Sequence, residues 1–73
     1  MGVDGVVDIF RRVLDASEVS ADSDFFAIGG DSLSATRVLS AVFRACGAEL
    51  SFEDFLMAPT PGALAKKIVC AAP

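Results

Sequence analysis

The stretch Asp24-Phe25-Phe26-Ala27-Ile28-Gly29-Gly30-Asp31-Ser32-Leu33-Ser34-Ala35-Thr36-Arg37 changes character at Ser32. Before Ser32 the hydrophobic residues keep no period. After it, Ala35, Val38, Leu39, Val42, Ala45 and Cys46 share one face of a helix that stops at Gly47. A serine therefore stands where a loop becomes a helix, entered through two glycines. Its plainest role is an N-cap, because Ser and Asp are both favoured there and Gly-Gly supplies a tight entry. Three features ask for more. A long loop, 16–31, ends at this point, and such loops in compact domains are functional or packed by their own side chains. A helix N-terminus offers N–H donors and a positive dipole end, which suit a phosphodiester on the serine oxygen. Finally, Leu33 lies with Thr36, Arg37 and Ser40 opposite the core stripe, where solvation alone does not call for an apolar residue.

Working upstream, Val3, Val6, Val7, Phe10, Val13 and Leu14 repeat with helical spacing over 3–15. Asp4 and Asp8 come early in that helix and Arg11 and Arg12 late, as the helix dipole favours. The loop that follows is punctuated by Val19, Phe25, Phe26 and Ile28, which predicts a loop pinned to the core, with Phe25 buried beside Val19 and Val42. Downstream, Ser51-Phe52-Glu53-Asp54 reads as a capping box for a short helix over 52–57 that stops before Pro59. Thr60-Pro61 reads as an N-cap with proline at the first helical position. The last helix, 61–70, then turns Leu64, Ala65, Ile68 and Val69 inward and Lys66 and Lys67 outward. The expected architecture is all-α: a four-helix bundle of three longer helices and one short helix, forming a single domain over 1–73.

Composition narrows the function. Seventy-three residues leave room for one core, and a 53% apolar content allows it to pack without staples. A net charge of −4, with bases only at Arg11, Arg12, Arg37, Arg44, Lys66 and Lys67, gives no basic stripe for nucleic acid. Cys46 and Cys70 are too few for a disulfide scaffold or a zinc site and read as small reduced core residues. There is no apolar run long enough for a membrane span and no signal peptide. Val6 stands where a myristoylation signal needs Ser or Thr, and a terminal Pro73 rules out prenylation of Cys70. The expectation is a cytoplasmic monomer with no affinity for nucleic acid or membrane.

The chain has no histidine, so the commonest general base and the usual partner of a nucleophilic serine are missing. No Lys follows Gly29-Gly30-Asp31-Ser32 as a nucleotide-phosphate loop requires. Gly30-Asp31-Ser32-Leu33 spells the signature of a hydrolase family, but those enzymes need an α/β sheet and a histidine. No catalytic residue is expected.

The motif from Asp24 to Arg37 resembles the core of peptidyl carrier (thiolation) domains of nonribosomal peptide synthetases, D-x-F-F-x-x-G-G-[HD]-S-L-x-A-x-[RQ]. Gly47-Ala48-Glu49-Leu50, Phe55-Leu56, Ala58-Pro59-Thr60-Pro61 and Ala63-Leu64-Ala65 match a second block of that family in register. Ile9-Phe10 with Val13-Leu14 resembles its first helix, so the likeness covers about 3–70. Asp31 stands where many members have His, a choice shared with acyl carriers of the polyketide and fatty-acid type. Phe43 replaces a usually polar residue, and Cys46 a bulky apolar one. Phe43 can either fold over the bundle end or meet a partner.

The resemblance implies an acyl-carrier-like bundle in which Ser32, flanked by Gly30, Asp31 and Leu33, holds covalent 4′-phosphopantetheine. A separate Mg²⁺-dependent phosphopantetheinyl transferase would attach that arm from coenzyme A. An adenylation enzyme or domain would load it with aminoacyl or peptidyl thioesters, and condensation, thioesterase or tailoring enzymes would use them. Antibiotic-type natural products are the usual outcome of such pathways. Phe26, Ile28, Leu33, Thr36 and Arg37 form the expected partner interface. Two other readings remain open from the residues: an acyl carrier of the polyketide or fatty-acid type, and an unmodified helical interaction module.

Overall fold

The computed structural model describes residues 1–71, with side-chain surroundings through Val69; Cys70 as a core residue lies outside the described side chains. The elements are α1 (Val3–Leu14), α2 (Ser32–Cys46), α3 (Phe52–Met57) and α4 (Pro61–Ala71), and all four are helices. Four of the helix ends have a clear chemical cause. α1 stops at Leu14, one residue short of the sequence expectation, because Asp15 turns left-handed (φ 51°) and returns its N–H to Arg11. Gly47 (φ 76°) closes α2 in the same way, bonding the Phe43 carbonyl. Ser51 and Asp54 form a complete capping box on α3. The Thr60 hydroxyl accepts the Ala63 N–H at 3.2 Å and opens α4.

α1 packs against both α2 and α4, and α2 packs against α3. Between them lie Val6, Ile9 and Phe10 of α1, Ala35, Val38 and Val42 of α2, Phe55 of α3 and Leu64, Ala65 and Ile68 of α4. The centre is aromatic. Phe10, Phe25 and Phe55 are fully buried, with ring centroids 4.9–5.9 Å apart in edge, tilted and stacked pairs. Phe25 comes from the loop rather than from a helix, and Val19 and Val42 belong to the same cluster, as the sequence led us to expect.

Two stripe assignments are corrected. Val69 is 70% exposed, because it lies about 100° around α4 from Ile68, beyond the buried arc. Ala45 is exposed because it sits at the edge of the α2 stripe, in the last turn before Gly47. Cys46 lies half-buried at the margin of the core as a free thiol, its Sγ directed to the Val42 carbonyl at 3.3 Å.

Candidate functional site

The loop before Ser32 is built as a single locked turn. The Asp24 carboxylate accepts the N–H groups of Phe26 and Ala27 at 2.9 and 3.2 Å, and the Asp24 carbonyl accepts that of Ile28. Gly30 donates back to the Phe25 carbonyl at 2.9 Å, closing the turn while Gly29 adopts φ +110°. The two glycines serve different purposes. Gly29 supplies a backbone angle that L residues rarely adopt. Gly30 supplies space, since a Cβ there would collide with the Phe25 ring and sit 2.7 Å from the Phe25 carbonyl oxygen. Two further bonds tie the loop to the far side of the bundle: Phe25 N–H to the Pro59 carbonyl at 2.8 Å, and Gly62 N–H to the Ala21 carbonyl at 3.0 Å. Ser32 thus leaves a fixed platform.

At the helix entrance Asp31, not Ser32, is the N-cap. Its carboxylate accepts the Ser34 N–H at 2.8 Å, and Ser32 is the first residue inside α2. That bond, reinforced by the Ser34 side chain, the Leu33 N–H and the nearby Arg37 charge, holds the Asp31 carboxyl below the usual carboxylate range. Asp31 therefore fills the anion role at this helix end, which the sequence had offered to a phosphodiester. What it leaves is an exposed Ser32 whose hydroxyl takes no part in the side-chain hydrogen bonds among the described residues. The capping explanation for this serine is thereby removed. An exposed hydroxyl on a rigid turn also fits covalent phosphopantetheine, because a charged phosphodiester there keeps its water.

The residues expected at a partner interface divide into two groups. Leu33 is 65% exposed, and Thr36 and Arg37 are exposed beside it on α2. The Thr36 hydroxyl donates to the Ser32 carbonyl at 3.0 Å, so it is already engaged within the helix. Phe26 and Ile28, by contrast, are half-buried and packed on the core, with the Phe26 ring against those of Phe25 and Phe55. Only their outer edges are available. Sequence reasoning passed over α3, where Phe52, Leu56 and Met57 are 38%, 51% and 78% exposed around the inward Phe55. The signal was present, since a six-residue helix buries one face and Phe55 claims it. Phe43, 52% exposed, does not fold into the bundle but lines a groove with Leu39 and Leu50.

Among the described residues no cluster of potential metal ligands occurs, and no helix is long and apolar enough to cross a membrane. Residues 4–68 match the family described as "Phosphopantetheine attachment site". The chain belongs to this family. It is a carrier domain, and 4′-phosphopantetheine is the group its family binds. The domain is 42% identical over 66 residues to surfactin synthase subunit 1 of Bacillus subtilis (strain 168), covering 90% of this chain and 2% of that protein. It is 38% identical over 63 residues to bacitracin synthase 3 of Bacillus licheniformis, covering 86% of this chain and 1% of that protein. The carrier domain therefore spans only a few hundredths of the length of such relatives. Among solved structures it superposes with TM-score 0.92 and 31% identity on a chain from a complex of the phosphopantetheine transferase Sfp, coenzyme A and a peptidyl carrier protein, covering 96% of this chain and 91% of that one. An active-site mutant peptidyl carrier protein superposes with TM-score 0.89 and 32% identity, covering 93% and 76%. The all-α four-helix fold is that of acyl and peptidyl carrier proteins.

Proposed function

We propose that Ser32 is the residue that carries the phosphopantetheine arm, and that the domain ferries aminoacyl or peptidyl groups as thioesters on it. The observation that carries this reading is the division of labour at the start of α2: Asp31 caps the helix, leaving the neighbouring hydroxyl exposed on a turn locked by Gly29 and Gly30. In the modification, the Ser32 oxygen forms a bond to the phosphorus of coenzyme A nearest the pantetheine. The bond from that phosphorus to 3′,5′-ADP breaks, and the serine proton passes to a base on the transferase. This chain supplies no such base, because it has no histidine and Ser32 has no buried carboxylate or lysine beside it. Its own residues present the oxygen and keep it accessible, and it has no catalytic residue of its own.

The partners follow from the relatives' chemistry: a phosphopantetheinyl transferase, an adenylation enzyme, and condensation, thioesterase or tailoring enzymes. They meet the domain at Leu33, Thr36 and Arg37, with the outer edges of Phe26 and Ile28. The single domain works as a monomer in the cytoplasm, where coenzyme A is at hand. The test is intact-mass analysis after incubation with a broad-specificity transferase and coenzyme A. The mass of one arm should be gained, and Ser32→Ala should gain none. A protein that stays unmodified, or is modified at another residue, ends this reading and leaves a helical interaction module.

A further inference from the structure

Between Asp31 and Glu49 the chain has no acidic residue, while α2 carries Arg37 and Arg44. In a domain of net charge −4, α2 is thus a basic helix. At 100° and 1.5 Å per residue, Arg37, Ala41 and Arg44 fall within about 60° of one another, with the two arginines about 10 Å apart along the axis. Toward α1 this row borders a groove of about 300 Å³ lined by Ile9, Arg12, Val13, Arg37 and Ala41. Its floor is apolar, with Ile9 buried and Val13 and Ala41 half-buried against the core. Its walls are cationic. Arg12 from α1 and Arg37 from α2 are both exposed, and Arg44 is exposed further along the same face of α2.

These guanidiniums have no carboxylate partner in the bundle. Among the described residues the ion pair is Lys67 with Asp54 at 3.8 Å, and none of the three arginines takes part in one. Asp8 and Asp15 stand about one turn to either side of Arg12 in the sequence without pairing with it. Arg37 lies close enough to Asp31 to act on its charge, but that carboxylate already caps α2.

The arrangement specifies its occupant. Guanidinium groups bind carboxylates with two parallel hydrogen bonds, and the floor between them favours apolar side chains. A volume at the lower limit of ligand sites admits one or two such side chains. Carboxylates about 10 Å apart with apolar residues between them describe one face of an acidic amphipathic helix, seven residues from the first acid to the second. An anionic membrane fits less well, because these three arginines belong to a chain with ten acids.

We propose that the α1–α2 groove docks an acidic amphipathic helix of a partner protein, with its apolar side chains on Ile9, Val13 and Ala41 and its carboxylates on Arg12, Arg37 and Arg44. The inference adds α1 to the partner surface argued above and does not depend on which residue carries the arm. Partners that present a basic face to this groove are disfavoured by like-charge repulsion.

The experiment titrates the intact, unmodified, ¹⁵N-labelled chain with a blocked alanine-based helical peptide. The peptide carries two glutamates seven residues apart with leucines between them, and a matched peptide has glutamine in place of glutamate. The expected result is saturable amide shifts centred on Ile9, Val13 and Ala41, with the glutamine peptide binding at least about fivefold more weakly and added salt weakening the glutamate peptide. Arg12→Glu should lower affinity at least about fivefold. Arg11→Glu makes the same change in net charge at a neighbour that lines a different hollow with Ser17 and Glu18, and should stay within about twofold of the parent. No saturable shift, shifts centred away from the α1–α2 groove, equal affinity for the two peptides, or equal losses in Arg11→Glu and Arg12→Glu would each overturn the proposal. The same shifts produced by phosphatidylserine vesicles would overturn it in favour of a lipid surface. Should Arg12→Glu lose its dispersed spectrum, the double variant Arg37→Gln, Arg44→Gln removes the charges of the opposite wall. It should show the same loss, and an unchanged affinity there would also overturn the proposal.

Discussion

Residues 24–30 have no helical repeat, yet Phe25 is fully buried, and three backbone–backbone bonds with two more to the Asp24 carboxylate hold the segment in place. Residues 33–43 form regular helix, yet Leu33 and Phe43 on their outer face are 65% and 52% exposed. The irregular region is the anchored one, and the regular region offers the free apolar surface. Regular backbone and buried side chains are separate properties. In this domain the loop fixes where α2 begins, and the helix, needing only its inner stripe for stability, leaves its outer stripe exposed. The serine sits on the boundary between the two.

The largest effect should come from removing the loop's anchor. Phe25→Ala deletes a ring packed against Phe10, Phe26 and Phe55, and large aromatic truncations of this kind cost about 3–5 kcal/mol. A domain of this size has a total stability of roughly 4–11 kcal/mol, so the variant should lose a large share of it and unfold at a much lower temperature than the parent. Thermal unfolding followed by circular dichroism checks this; a midpoint equal to the parent's would show that the loop is not anchored through Phe25. Gly29→Ala comes next. With φ at +110°, an added Cβ is strained even though it meets no neighbour, and such strain costs about 1–3 kcal/mol. Denaturant unfolding should report that loss, and a loss of under about half of the lower bound would mean that the turn adjusts at little cost.

On the other side of the comparison, Leu33→Ala should change stability by less than about 0.5 kcal/mol, as exposed substitutions do. Its effect should appear instead in the rate of Ser32 modification or of a later transfer, measured with each partner enzyme in turn. Unchanged rates with every partner would remove Leu33 from the interface and leave the outer face of α2 without a tested role at its first turn.

Much of this could be read from the residues before any coordinates. The capping chemistry at Ser51, Thr60 and Gly47 marks helix ends because each supplies a specific donor, acceptor or left-handed backbone. The inward stripes follow from spacing, and Phe25 could be placed inside because a long loop with isolated aromatics has to pack them. The failures were local. Val69 was counted inward from its apolar character although it is a quarter turn past Ile68. In the short α3 the signal lay in its length, not in a period: six residues bury one face, Phe55 takes it, and the outward Phe52, Leu56 and Met57 went unread. At the site, a Ser beside an Asp could not be divided into cap and free hydroxyl from sequence, because both types cap well. Only the hydrogen bond from Ser34 to Asp31 decides between them.

That bond makes the smallest prediction, a pH dependence confined to the helix entrances. The Ser34 N–H holds the Asp31 carboxyl below its ordinary range, and the Ser51 N–H does the same for Asp54 in the α3 capping box. A carboxyl more acidic in the folded state than in the unfolded chain adds stability at every pH above its unfolded value. It loses that contribution as pH falls through the folded value. Stability should therefore be level near neutrality with respect to these two groups and decline once pH drops below about 4. Asp31→Asn keeps a side chain able to cap and removes its titration, so its unfolding midpoint should fall less steeply below pH 4 than the parent's. An identical acid slope would mean that the Ser34–Asp31 bond forms equally well with the protonated acid. Asp31 would then have no advantage over a neutral cap beside Ser32, and its charge would have to be explained by the partners it meets.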